Sequence, residues 1–174
     1  MAKFQMQQAS CNVNWTGKKV LGLHTGSIKV SNGFIEFKDN TISGGEIQID
    51  MTSITITDIE DSKTHDEFLA HLKNDDFFAV DKFSTSKLVI TNAKQIELNK
   101  YKISGILTIK DISHPVIFIS TVEIFTDFLH SLGEIVIDRT LYNIRYGSGK
   151  FIDNLGDKLI YDDFVLQFKL VGKL

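Results

Sequence analysis

Phe164-Val165-Leu166-Gln167-Phe168-Lys169-Leu170 carries an apolar side chain at every even position, with Gln167 and Lys169 between them. A period of two belongs to a β-strand, whose successive side chains point to opposite faces, so this segment has one face in an apolar interior and one in water. The same alternation recurs along the chain. Ile47, Ile49 and Met51 oppose Glu46, Gln48 and Asp50, and Leu88 and Ile90 oppose Lys87 and Thr91. Tyr101, Ile103, Gly105, Leu107 and Ile109 alternate with Lys102, Ser104, Thr108 and Lys110, with Ile106 the one misfit, and Ile135 and Ile137 oppose Glu134 and Asp138. Between residues 116 and 125 both parities are apolar, so the inward set is either Phe118, Val122 and Ile124 or Ile117, Ile119 and Phe125. Residues 19–31 and 34–38 read as strand and are separated by Asn32-Gly33, which is a hairpin turn or a bulge within one long strand.

About eight such segments is the number at which a closed barrel holds one small ligand, and closure removes the edges an open sheet would leave. Short connections with turn chemistry, Asp39-Asn40 and Ser113-His114-Pro115, make neighbouring strands antiparallel. The expected fold is therefore all-β, a closed antiparallel β-barrel of about eight strands (lipocalin-like), with residues 1–174 forming a single domain. One segment departs from it. Thr64-His65-Asp66-Glu67 has the spacing of a capping box, which predicts a short helix over 65–73 that Asn74 stops in the left-handed conformation. Phe68, Leu69 and Leu72 fall on one side of that helix and should pack on or near the barrel mouth, with Phe77 or Phe78 reaching the opening.

Composition narrows the function. The chain has 43% hydrophobic residues, enough for a core or a lined cavity, and its 19 basic against 22 acidic residues include no basic run, so no nucleic-acid partner is expected. Every apolar run is broken within a few residues, which leaves no membrane span. Residues 1–8 lack the apolar stretch of a secretory signal. The expected location is cytoplasmic as written, and periplasmic or secreted if a signal has been removed. The lone Cys11 has no thiol partner, His65 and His71 lie on different helix faces, and the other histidines lack ligands at metal spacing, so neither metal nor cofactor is expected. Asp138-Arg139 reads as a structural ion pair or hydrogen-bond clamp, and Gly147-Ser148-Gly149 lacks the spacing of a nucleophile elbow, so no catalytic residue is expected.

Several segments in order resemble the YceI-like family over residues 15–170. They are Gly22-Leu23-His24-Thr25-Gly26, Gly44-Gly45-Glu46-Ile47-Gln48-Ile49-Asp50-Met51-Thr52-Ser53-Ile54 and His71-Leu72-Lys73-Asn74-Asp75-Asp76-Phe77-Phe78, followed by Gly105-Ile106-Leu107-Thr108-Ile109-Lys110-Asp111 and Ile137-Asp138-Arg139-Thr140-Leu141-Tyr142-Asn143-Ile144. The resemblance implies a long barrel with an interior channel for a polyisoprenoid, an isoprenoid quinone or a fatty-acid-like lipid, no catalytic residues, and the bulge reading at Asn32-Gly33. The sequence departs from the family in lacking a secretory signal, in Ile112 after Asp111, and in Asn143 where glycine is common.

The inward parities nominate the channel lining: Ile47, Ile49, Met51, Phe77, Phe78, Leu88, Ile90, Leu107, Ile109, Phe118, Ile135, Ile137, Phe164, Leu166 and Phe168. By the residues alone these fill a solid core or line a cavity; the resemblance favours the cavity. The expected function is non-catalytic binding, storage or transport of an elongated amphipathic lipid, the partner being that hydrophobic ligand. A protein interaction module with a filled core and a hydrolase using the cavity are the competing readings, and a homodimer is left open.

Overall fold

Alternation in the sequence becomes one sheet that closes on itself. The computed structural model describes residues 1–174, with strands β1 (Ala2–Met6), β2 (Asn12–Lys19), β3 (Gly22–Lys38), β4 (Thr41–Asp50), β5 (Thr85–Glu97), β6 (Lys100–Ile109), β7 (Ile112–Ile124), β8 (Phe128–Asp138) and β9 (Ile160–Lys173), and one helix, α1 (Ser62–Lys73). Every pairing is antiparallel. The order β3-β2-β9-β8-β7-β6-β5-β4 closes through β3–β4 into an eight-stranded barrel, and β1 is the additional strand. β1 and β2 share one slot between β3 and β9: Gln5 pairs with Phe34 and Lys173, and Val13 pairs with Ile28 and Phe168. A 3-10 turn at Gln8–Ser10 interrupts them.

The turns correct several expectations. Residues 19–31 are not one strand, because Val20-Leu21 forms a hairpin between β2 and β3. Asn32-Gly33 is the bulge: β3 runs through it, and its register against β4 shifts between Val30 and Asn32. Gly33 sits at φ 153°, where an added Cβ would lie 2.6 Å from Glu46 O, so only glycine fits. Asp39-Asn40 is a tight turn with both φ positive. Ser113-His114-Pro115, read as a turn, belongs instead to β7, and the chain reverses at Lys110-Asp111 (φ 53° and 59°). β7 pairs with β8 only from Ile119 onward, so Pro115 lies where that side of the strand is an edge, the position that tolerates a missing N–H.

The ambiguous parity of β7 is settled by closure. Phe118 and Val122 are buried inside, while Ile117 and Ile119 face outward, as does Ile106 on β6. Ile124 shares the inward parity yet is exposed, at the end of β7 beyond its last pairing with β6 at Thr121.

Helix α1 lies in the long connection between β4 and β5, at the barrel end where β4 stops and β5 begins. Leu72 is buried, and Phe68 and Leu69 pack half-buried against the core. Its start is three residues earlier than the sequence predicts. Asp61, not Thr64, is the N-cap: its Oδ2 accepts from Thr64 N–H (2.8 Å) and from Thr64 Oγ1–H (2.7 Å). An Asp cap with Thr three residues on satisfies the first-turn donor as well as the predicted box does, and those two donations hold the Asp61 carboxyl below its usual range. Asn74 ends the helix in an extended conformation, not a left-handed one, with ψ −179°. We expect Asp61→Ala to lower the thermal midpoint by about 2–4 °C and Thr64→Ala to lower it less. Equal effects in a melting experiment would count against this assignment.

Candidate functional site: apolar cavities under a helical lid

Inward side chains do not fill the barrel. An upper cavity of about 120 Å³ lies beneath the lid, and a lower one of about 80 Å³ lies further down the axis. Val13, Ile49, Leu107 and Leu166 border both, so the two adjoin through a constriction formed by these four. Of the residues nominated from sequence, the upper cavity is lined by Ile49, Met51, Phe77, Phe78, Leu107, Ile109, Phe164 and Leu166. The lower is lined by Ile47, Ile49, Leu88, Ile90, Leu107, Phe118, Ile135, Leu166 and Phe168. Ile137 is the exception. It is buried near the end of β8 but borders neither cavity.

The nominated lining omitted Val13, Trp15, Ile28, Ile54, Leu72 and Ile144 in the upper wall and Ile35, Ile103 and Leu170 in the lower, although Ile103 and Leu170 lie on apolar strand faces and Leu72 on the apolar side of the helix as read from the sequence. Val13 and Trp15 do alternate with Asn12, Asn14 and Thr16, but two apolar positions make a short signal. Ile54 and Ile144 lie outside strand and helix, where no period marks a facing side.

Local hydrogen bonding builds the lid. Phe78 N–H donates to Leu72 O (3.1 Å) and Val80 N–H to Lys73 O (3.0 Å), which folds the chain back under the end of α1 and aims both phenylalanines at the cavity. The His71 ring stands edge-on to Phe77 (5.0 Å) and to Tyr146 (4.4 Å), and Phe78 is edge-on to Phe164 (6.4 Å). Trp15 Nε1–H donates to Thr55 O (3.0 Å), tying the connection after β4 to β2. Gly26 makes that approach close, since a Cβ there would fall 1.8 Å from Thr55 O. The Ser86 hydroxyl is buried in the upper wall with no hydrogen-bond partner.

Arg139 fastens the loop after β8. Its guanidinium, 5% exposed, donates from Nε to Tyr161 O (3.1 Å), from Nη1 to Ile144 O (3.0 Å) and from Nη2 to Ile160 O (3.1 Å). Burial pulls its pKa down, and Asp162 and Asp138 oppose that. The clamp reading holds, while the ion pair with Asp138 does not: the guanidinium is occupied by three carbonyls, and the Asp138 carboxylate turns to Thr140 and Lys150. Asp138 Oδ1 accepts from Thr140 N–H (2.9 Å), and Oδ2 accepts from Lys150 Nζ (2.9 Å).

Burial alone would raise the Asp138 pKa, but the hydrogen bonds from Thr140 and Lys150 outweigh it and the carboxyl is held below its ordinary value. A depressed folded-state pKa contributes stability that is present above the unfolded value and is lost as pH falls through the folded one. The drop in thermal midpoint between pH 7 and pH 3 should therefore be smaller in Asp138→Asn than in the unmodified protein. An identical drop would refute this coupling.

No group of three or more His, Cys, Asp or Glu side chains is arranged to hold a metal ion. His24 is bonded to Asp58 (2.9 Å), and His114 to the Leu141 carbonyl (2.9 Å). Ser148 is buried and donates to Asp162 (2.6 Å), with no histidine among its hydrogen-bond partners.

A closed antiparallel barrel with apolar cavities under a helical lid defines a class of architecture, and comparison places the chain within it. Residues 4–172 match the model of the YceI-like domain, and the chain belongs to that family. A search of curated proteins finds no match. Among solved structures it is similar to BcnA of Burkholderia cenocepacia (22% identity, 95% of this chain and 98% of that one, TM-score 0.76). It is also similar to a polyisoprenoid binding domain from Saccharophagus degradans implicated in plant cell wall breakdown (15% identity, 98% and 97% covered, TM-score 0.73). The YCEI protein of Campylobacter jejuni matches at 17% identity, with 82% and 80% covered and a TM-score of 0.62. At these identities the likeness is one of fold.

Proposed function

We propose that this protein binds an elongated amphipathic lipid, of the polyisoprenoid, isoprenoid quinone or fatty-acid-like class, and stores or transports it without catalysing a reaction. One observation carries the reading. Ile49 on β4, Leu88 on β5, and Phe164, Leu166 and Phe168 on β9 point inward and border the cavities, yet all remain only partly buried. In an interior packed to ordinary density they would be fully covered. Their uncovered surface faces a void whose wall is almost wholly apolar, and each ligand methylene placed against it contributes about 0.8 kcal/mol.

The two cavities are small beside the roughly 300–1,000 Å³ of a drug-sized site. A long chain is accommodated by rotamer changes at Val13, Ile49, Leu107 and Leu166 that merge the two cavities into one channel. The ligand's hydrocarbon part lies along the axis, and its head group stays toward the lid. Mass spectrometry of an organic extract of purified protein, together with uptake of a fluorescent isoprenoid or fatty-acid analogue, tests the reading. A lipid in the extract and saturable uptake are expected. An empty extract with no uptake of either analogue would refute it.

A further inference from the structure

On one side of the mouth, six large apolar side chains stand in solvent. Val20, Leu21 and Leu23 belong to the β2–β3 hairpin, and Tyr146, Phe151 and Ile152 to the loop between β8 and β9. Leu21, at the hairpin tip, is 71% exposed. These segments are distant in sequence but held side by side: Val20 N–H donates to Leu159 O (3.3 Å), Lys19 pairs with Ile160, and Ile160 N–H donates to Gly147 O (2.8 Å). Tyr146 also packs on His71 and lies 5.7 Å from Phe77, so the patch runs to the lid of the upper cavity.

Charge is distributed to match. The chain as a whole carries −3, but residues 17–24 and 145–159 hold Lys18, Lys19, Arg145, Lys150 and Lys158 against Asp153 and Asp157, and of these cations Lys150 is paired with Asp138 and Asp162. The Arg145 guanidinium lies over the Phe151 ring at 4.4 Å. Beyond its contacts with this patch at Phe68 and His71, α1 and the segment after it carry carboxylates, among them Asp66, Glu67, Asp75, Asp76 and Asp81. Single exposed apolar residues are ordinary, but apolar tips clustered among cations have the composition of a surface seated at a lipid headgroup layer. There the apolar tips enter the acyl boundary while Lys and Arg reach the phosphates.

We propose that this rim docks the barrel on the surface of an anionic lipid bilayer. The β2–β3 hairpin and the β8–β9 loop sit in the interface, the acidic side of α1 turns away, and the channel mouth faces the lipid. Charge complementarity selects the anionic bilayer as the occupant. The continuity of the patch with a hydrocarbon-lined channel gives the docking a purpose, and that purpose alone rests on the lipid-binding reading above.

Co-sedimentation with vesicles tests the docking, using phosphatidylcholine alone and phosphatidylcholine with one third phosphatidylglycerol. Binding to the anionic vesicles and not the neutral ones is expected, with release at about 0.5 M salt. The double variants Leu21→Asp with Phe151→Asp, and Lys18→Glu with Lys19→Glu, should each bind about tenfold more weakly. Ile119→Asp, on the outer face of β7, should bind unchanged. A retained thermal midpoint shows that each variant is folded, and Leu21→Trp gives an independent readout in a blue shift of its emission on adding anionic vesicles.

Binding to neither vesicle, equal binding to both, an equal loss in Ile119→Asp, or no blue shift would overturn the proposal. So would a dimer that Leu21→Asp dissociates with no vesicle binding, which would make the rim a face between copies. Uptake of the fluorescent analogue from solution should be unchanged in the rim variants. Docking and channel binding therefore fail separately: lost docking with intact uptake refutes only the rim, and absent uptake in the unmodified protein refutes only the channel.

Discussion

Replacing Leu166 with Trp should leave the fold nearly as stable as before and reduce uptake of a hydrophobic analogue by more than tenfold. Leu166 borders both cavities at their constriction, opposite Trp15 on β2 and Ile135 on β8. A larger ring placed there extends into space that is already open. Excluding even two ligand methylenes removes about 1.6 kcal/mol of burial, which exceeds a factor of ten in affinity. In a filled barrel the same substitution would overpack the interior and cost about 1–3 kcal/mol. Thermal unfolding and uptake therefore separate a channel from a core. Ile119→Trp, on the outer face, serves as the comparison and should alter neither quantity. Marked destabilisation of Leu166→Trp with no uptake by the unmodified protein would mean that the barrel is filled.

The largest loss of stability is expected at Arg139. Arg139→Leu removes three donations at once and leaves the carbonyls of Ile144, Ile160 and Tyr161 without the side chain that joins them. Each buried acceptor left unmade costs about 1–3 kcal/mol. Allowing for relaxation and some water, we expect a loss of about 3–5 kcal/mol in chemical denaturation. Arg139→Lys should recover only part of it, because a single ammonium on a flexible stem cannot reproduce a planar fork directed at three carbonyls. A loss below about 1 kcal/mol for Arg139→Leu would show that the clamp does not hold the loop. Because Ile144 lines the upper cavity, the folded fraction of this variant should also take up the analogue less well.

Much of the barrel could be read locally. Side-chain alternation fixes which face of β4, β5, β6, β8 and β9 turns inward, because a one-residue slip would put the whole apolar set in water. For that reason the residues nominated on these strands line the cavities or, in the case of Ile137, lie buried. The helix was legible from its capping signal and apolar side, although not its first residue, since Asp61 and Thr64 both meet the chemistry of a cap. Other features belong to closure. The facing of Phe118 against Ile117, the sharing of one slot by β1 and β2, and the strand placement of Pro115 depend on which neighbour each segment meets. No local pattern records that meeting.

The sequence by itself determined a β-rich chain with one apolar face per strand, one capped helix and the resemblance to its family. Only the tertiary structure decided that the apolar faces enclose cavities, that Arg139 spends its donors on carbonyls rather than on Asp138, and that Leu21 and Phe151 belong to one rim. The physical reason is range. Periodicity and capping act over a few residues along the chain, whereas a void depends on the summed volumes of side chains from many strands, and a surface depends on which distant loops close the same end of the barrel.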